Sequence, residues 1–189
     1  MITSNHTNQP NPLTGAELQT LREACCLTRE ELGALACVAA RTVKHWEHGR
    51  AGVPADVAAL AQRLDATIQQ AADQGARAVA QASARQGGTA PDDVVLIRYR
   101  SADHLARYRP DMAGQPAGVQ GAIVQRVAQA LRQRGQLVRV VWMQPDAYEA
   151  WRTAHGMPDL ESTRATWAAE QIPHQARAHR ADQPPEGAA

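Results

Sequence analysis

Residues 39–50 read AARTVKHWEHGR, a short run that holds five of Arg, Lys and His beside one Trp and one Glu. Wound as a helix at roughly 100° per residue, it gathers Ala40, Arg41, Lys44, His45 and His48 within an arc of about 140°. Val43, Trp46 and Glu47 fall on the other side. The chemistry this arrangement offers is hydrogen-bond donation from a cationic face, suited to phosphates and base edges, with an apolar back that can rest on a small core. His45 and His48 stand three apart and could share a metal, but no acid or Cys at ligand spacing completes a set, so no metal is expected. Catalysis has less support still. There is no G-x-S-x-G, no H-E-x-x-H and no phosphate-cradling glycine loop, and Asp92–Asp93 reads as a turn or cap. The chain is expected to be no enzyme and to need no cofactor.

The elements that must hold this face are marked by local signals. Thr14 with Glu17, and Thr28 with Glu31, have the capping-box spacing that opens helices at about Gly15 and Arg29. The first helix runs to about Cys25 with Leu18 and Leu21 inward, the second to about Ala36 with Leu32 and Leu35 inward. A turn at Cys37–Val38 leads into the cationic helix, which Gly49 stops. Pro54 opens a fourth helix that lacks proline to about Arg85 and repeats Val57, Leu60, Leu64, Ile68 and Ala72 at helical spacing. Its far half is rich in Ala and Gln, with little to bury, as in a connecting helix. QGGTAP, 86–91, is linker-like.

Beyond it the pattern changes. A β-branched run from about Val94 to Tyr99, a short helix after Ser101, a longer helix over 117–134, a strand in QLVRVVWM and a helix from Pro145 to Gly156 give the order β-α-α-β-α. Two strands are marginal by themselves, so a second copy is expected to complete the sheet or cover its open face. The predicted organisation is a disordered extension over 1–12, a helical domain over 13–85, a linker over 86–91, a second domain over 92–160 and a mostly disordered tail over 161–189.

Composition sets bounds rather than choosing. Net charge is +1, and residues 1–90 hold 8 Lys+Arg against 8 Asp+Glu, so any electrostatic argument rests on local distribution. Cys25, Cys26 and Cys37 form no C-x-x-C pair and read as thiols of a reducing compartment. With no signal-like start and no run of about 18 apolar residues, a cytoplasmic protein without a membrane partner is expected.

The stretch LREACCLTREELGALACVAARTVKHWEHGR resembles the Xre/Cro-like helix-turn-helix repressors, carried by Leu21–Arg22, Leu27–Thr28, Glu30–Leu32, Val38, Thr42–Val43, Trp46–Glu47, Gly49–Arg50 and Pro54. It departs at Arg29, where the family has Gln, and at Cys37, where the family has Gly. Cys37 implies either a negative φ or some strain in the turn. With a long helix and a β-α-α-β domain following, the chain is similar to the anti-CRISPR-associated autorepressors of phages and mobile elements. The resemblance implies an α+β protein: an all-α, lambda-repressor-like domain, a long connecting helix and a small C-terminal α/β dimerisation domain. It implies a homodimer, formed through 92–160, on an inverted-repeat duplex. On this reading DNA contact falls to Arg29, Ala40, Arg41, Thr42, Lys44, His45 and Arg50, with Arg41 as base reader because Arg can give two hydrogen bonds to guanine O6 and N7, and with Arg29 and Arg50, at the helix margins, on phosphates. It makes Arg22 and Glu47 a structural ion pair, with little left over for any other role. Two alternatives stay open: an antitoxin whose second half binds a toxin, and an RNA-binding translational repressor.

Overall fold

The computed structural model describes residues 13–85 and 94–181, with side chains described over 13–81 and 94–171. The expected extension over 1–12, the linker over 86–91 and the Asp92–Asp93 pair lie outside the described residues. The helices are α1 (Gly15–Ala24), α2 (Arg29–Leu35), α3 (Ala40–Glu47), α4 (Ala55–Arg85), α5 (Ala102–Tyr108), α6 (Ala117–Gln133), α7 (Pro145–Ala154) and α8 (Glu161–Ala181). The strands are β1 (Val94–Arg98) and β2 (Val138–Trp142), and a single 3₁₀ turn spans Pro110–Met112.

These residues form two compact units. The first takes the chain up to Asp73 together with Gly118–Ile123, and the second takes Gln74–Ala117 and Val124 onward. The expected border at 86–91 is therefore corrected: α4 contributes to both units. The reason lies in its small residues. Ala76 is buried, and a Cβ added to Gly75 would stand 3.1 Å from Val127 Cγ2 of α6, so the Ala-rich half of α4 is packed within the second unit.

In the first unit both capping boxes form. Thr14 and Thr28 each accept from the backbone three residues on, and Glu17 and Glu31 each accept from the cap's own N–H. The core is Leu18, Cys25, Leu27, Leu32, Val43, Trp46, Val57 and Ile68; Leu21, Leu35, Leu60 and Leu64, also expected on the apolar faces, are half-buried, and Leu27 enters from the turn before α2. Close packing has a price in side-chain size at Gly15, where any Cβ would overlap the carbonyl of Trp46 at the end of α3. The turns before α2 and α3 pass through Cys26 and Cys37, both at φ 55°. Of the two conformations left open for Cys37 the strained one is found, and a left-handed L-residue costs about 1–2 kcal/mol.

In the second unit β1 and β2 pair in parallel, Val94 against Val138 through Arg98 against Trp142. One face of this sheet meets α5, α7 and α8 around Tyr99, Leu105, Tyr108, Val141, Met143, Tyr148 and Trp167. Here the tail over 161–189 is corrected over its first part: 161–181 is helix α8, and Thr163, Arg164, Trp167 and Ala168 are buried. Trp167 sets its edge to Tyr148 at 5.7 Å. Tyr148 donates to Asp159 at 2.7 Å, and Arg164 also reaches that carboxylate. Burial and the neighbouring Asp159 charge push the Tyr148 hydroxyl well above its ordinary pKa, so it stays a donor.

Candidate nucleic-acid interface

The geometry of α3 is set from behind. Val43 and Trp46 enter the core, and Glu47, with no exposed side-chain surface, accepts from Arg22 Nε of α1 at 2.5 Å. Arg22 also donates through Nη1 to the Leu27 carbonyl at 2.7 Å. A second arginine reaches the same carboxylate: Arg29 Nε, at the start of α2, donates to Glu47 Oε2 at 2.6 Å. Burial works to raise the Glu47 pKa, but the hydrogen bonds and charges of Arg22 and Arg29 outweigh it and hold the carboxyl below its ordinary value. One buried carboxylate thus ties α1, α2 and α3 together.

In front lies an open concavity of about 500 Å³, lined by Arg29, Glu30, Ala40, Arg41, Lys44, His45 and Arg50. Six of the seven residues assigned to DNA contact meet there. Thr42 does not line it; it is half-buried on α3, and its backbone N–H bonds to the Ala39 carbonyl. Arg41, Lys44 and Arg50 are exposed, and among the described residues their side chains have no ion-pair partner, so their charges are uncommitted. Arg29 has a different place from the free phosphate donor expected of it. Its Nε is committed to Glu47, and about a third of its side chain remains exposed at the rim. Gly49, at φ 67°, ends the helix in the left-handed conformation and turns the chain so that Arg50 comes back to the same concavity, its N–H bonded to the His45 carbonyl at 2.9 Å.

Glu30 is the lining residue that sequence reasoning missed. It follows Arg29 on α2 and is exposed, and its carboxylate has no partner among the described residues. A signal existed: Glu31 is taken by the capping box, which leaves the adjacent Glu30 to point elsewhere.

Guanidinium and ammonium groups with no internal partner, on one face of a helix whose back is locked, can bind a polyanion and donate to base edges. Among the described residues no group of His, Cys, Asp and Glu is placed to hold a metal, and no helix is long and apolar enough to cross a membrane. No curated protein matches the chain. The comparison with protein families does find a match, to the model described as a helix-turn-helix domain, over residues 14–74, which takes in α1, α2, α3 and most of α4. Residues 14–74 are therefore a helix-turn-helix domain, the module of a DNA-binding regulator.

Proposed function

We propose that this protein is a sequence-specific transcriptional repressor that binds an inverted-repeat operator as a homodimer and, in keeping with its resemblance to the anti-CRISPR-associated autorepressors, silences its own operon. The observation that carries the proposal is the set of uncommitted cations, Arg41, Lys44 and Arg50, gathered with His45 in one concavity on the outer face of α3. Arg41 sits near the start of α3, where a recognition helix reaches bases, and can give two hydrogen bonds to guanine O6 and N7. Arg50, past the helix end, is suited to phosphate. Arg29, held by Glu47, keeps only its outer nitrogens for the backbone. The two-fold requirement of an inverted repeat is met by self-association of the second unit, whose two-stranded sheet is too small to be complete. Repression follows from occupancy of a promoter, so no catalytic group or cofactor enters.

The test is selection of duplexes from a random pool by the full-length chain, followed by titration of the winning sequence. An inverted repeat with half-site centres about 10 bp apart, or a multiple of that, is expected. Inserting about 5 bp between half-sites turns one to the far side of the duplex and should reduce affinity to that of a single half-site. Affinity that ignores spacing would refute a symmetric dimer on DNA.

A further inference from the structure

The outer edge of β2 is unfinished. Within the parallel pair, Val94 N–H donates to the Leu137 carbonyl at 2.8 Å, and Met143 N–H donates to the Arg98 carbonyl at 2.8 Å. A parallel ladder alternates along each strand, so Arg139, Val141 and Met143 turn their backbone groups toward β1, and Val138, Val140 and Trp142 turn theirs away from it. Of these outward groups only the Val138 carbonyl has a partner, Arg132 Nη2 at 3.1 Å. Among the described residues the N–H and C=O of Val140 and Trp142 have none. Val140 is 44% exposed, Trp142 38% and Leu137 53%. An exposed edge strand is ordinarily guarded by Pro, Lys, a bulge or a cover. Val138–Trp142 reads VRVVW: Arg139 is its one charge, its pairing with β1 has no bulge, and it contains neither Pro nor Lys.

We infer that this edge pairs with the same edge of a second copy, antiparallel, about a two-fold axis through Val140. The inference builds on the homodimer proposed above and assigns its contact, with no dependence on DNA. The register follows from three constraints. The pleat has period two, so only registers that keep the core-facing residues of both copies on one face are allowed. Among these, an axis at Arg139 sets two guanidinium stems directly opposite each other in a close pair, which is unfavourable. An axis at Val141 pushes the partner of Val138 out to Gln144, beyond the strand. The axis at Val140 uses all five residues. Val140 exchanges both backbone hydrogen bonds with Val140 of the second copy, and Val138 and Trp142 pair crosswise. Arg139 then falls opposite Val141, and each Trp142 meets a β-branched neighbour. The product is one four-stranded sheet in the order β1-β2-β2-β1, which exceeds the two strands that are marginal alone. The Val138 carbonyl keeps its bond to Arg132 and accepts the new one on its second lone pair.

The test uses the full-length protein without DNA. Val140→Lys leaves each monomer's ladder untouched, because the residue's backbone groups point outward, yet it places two ammonium groups face to face in the dimer. Sedimentation should show dimerisation weakened by about tenfold or more for Val140→Lys and likewise for Val140→Glu, and restored in an equimolar mixture of the two. Amide exchange of the wild type supplies an independent reading: the Val140 and Trp142 amides should exchange slowly at high concentration and faster on dilution. A wild-type monomer would overturn the inference. So would a Val140→Lys dimer of unchanged strength, a mixture that stays monomeric, or fast exchange at Val140 and Trp142 beside protected Val141 and Met143. Loss of operator binding with the dimer intact would count against the repressor reading alone.

Discussion

Glu47→Ala should be the most damaging single truncation among the charged residues of the first unit. The Glu47 side chain has no exposed surface and that of Arg22 only 9%. Removing one partner of a buried pair leaves the other charged in a poor solvent, at a cost of about 3–5 kcal/mol. Two features move the expectation to the low end, about 3 kcal/mol: Arg22 keeps its bond to the Leu27 carbonyl, and Arg29, 34% exposed, can turn to water. Arg29→Ala leaves Glu47 still paired to Arg22 and should cost only about 1 kcal/mol. The order Glu47, Arg22, Arg29 follows from what each loss leaves behind: two guanidinium groups without their carboxylate, then a bare Leu27 carbonyl with Glu47 held by Arg29 alone, then Glu47 still held by the buried Arg22. Native-state amide exchange of α1 and α3 measures it locally, without mixing in the second unit. The pH dependence has a definite sign. Because the folded carboxyl lies below its ordinary value, its stabilisation is complete above the unfolded pKa of about 4.3 and is lost as pH falls through the lower folded value. A Glu47→Ala protein within about 1 kcal/mol of wild type, or an Arg29→Ala protein as unstable as Arg22→Ala, would refute the reasoning.

Arg41→Ala should lose about 1–3 kcal/mol of operator affinity while binding to random duplex changes little; fluorescence anisotropy on both decides, and an unchanged operator affinity removes Arg41 as reader. If the concavity meets DNA as proposed, Glu30→Gln should tighten random duplex by roughly two- to tenfold and steepen the salt dependence by about one unit of slope, because it removes a carboxylate from among its cations. Selective loss of the operator would instead make Glu30 a base contact. Trp167→Ala should destabilise the second unit by about 3–5 kcal/mol in amide exchange, as a buried core residue does and a tail residue does not.

What could be read directly from the residues was whatever is local. Thr14–Glu17 and Thr28–Glu31 act across one turn, and the inward face of α3 is a matter of angle alone, so caps, core face and cationic face follow from spacing. The Arg29–Glu47 bond joins residues on two crossing helices, and periodicity within either helix says nothing of that crossing. Cys37 left two conformations open because its φ depends on how tightly α2 and α3 must turn; the Val38 N–H bond to the Gly33 carbonyl at 2.8 Å demands the left-handed one. Helix α8 was hidden by composition. Its Ala, His and Pro content resembles a solvated tail, and the signal against it, Thr163, Arg164 and Trp167 at helical spacing, is only three residues long. The border between units was obscured because Gly and Ala bury little area individually, yet let helices approach closely.

The place of Trp167 in the core has a consequence for how the chain is made. A ribosome adding about 5–20 residues per second needs roughly 4–15 s to pass from Val94 to Trp167. Throughout that interval β1, and later β2, exist without the helix that closes their core face. The outer edge of β2 is then in view before its own fold can hold it to one register, and neighbouring nascent chains on the same message carry the identical strand. Slow emergence of α8 therefore makes this segment, more than the helical first unit, the part of the protein whose synthesis is exposed to mispairing.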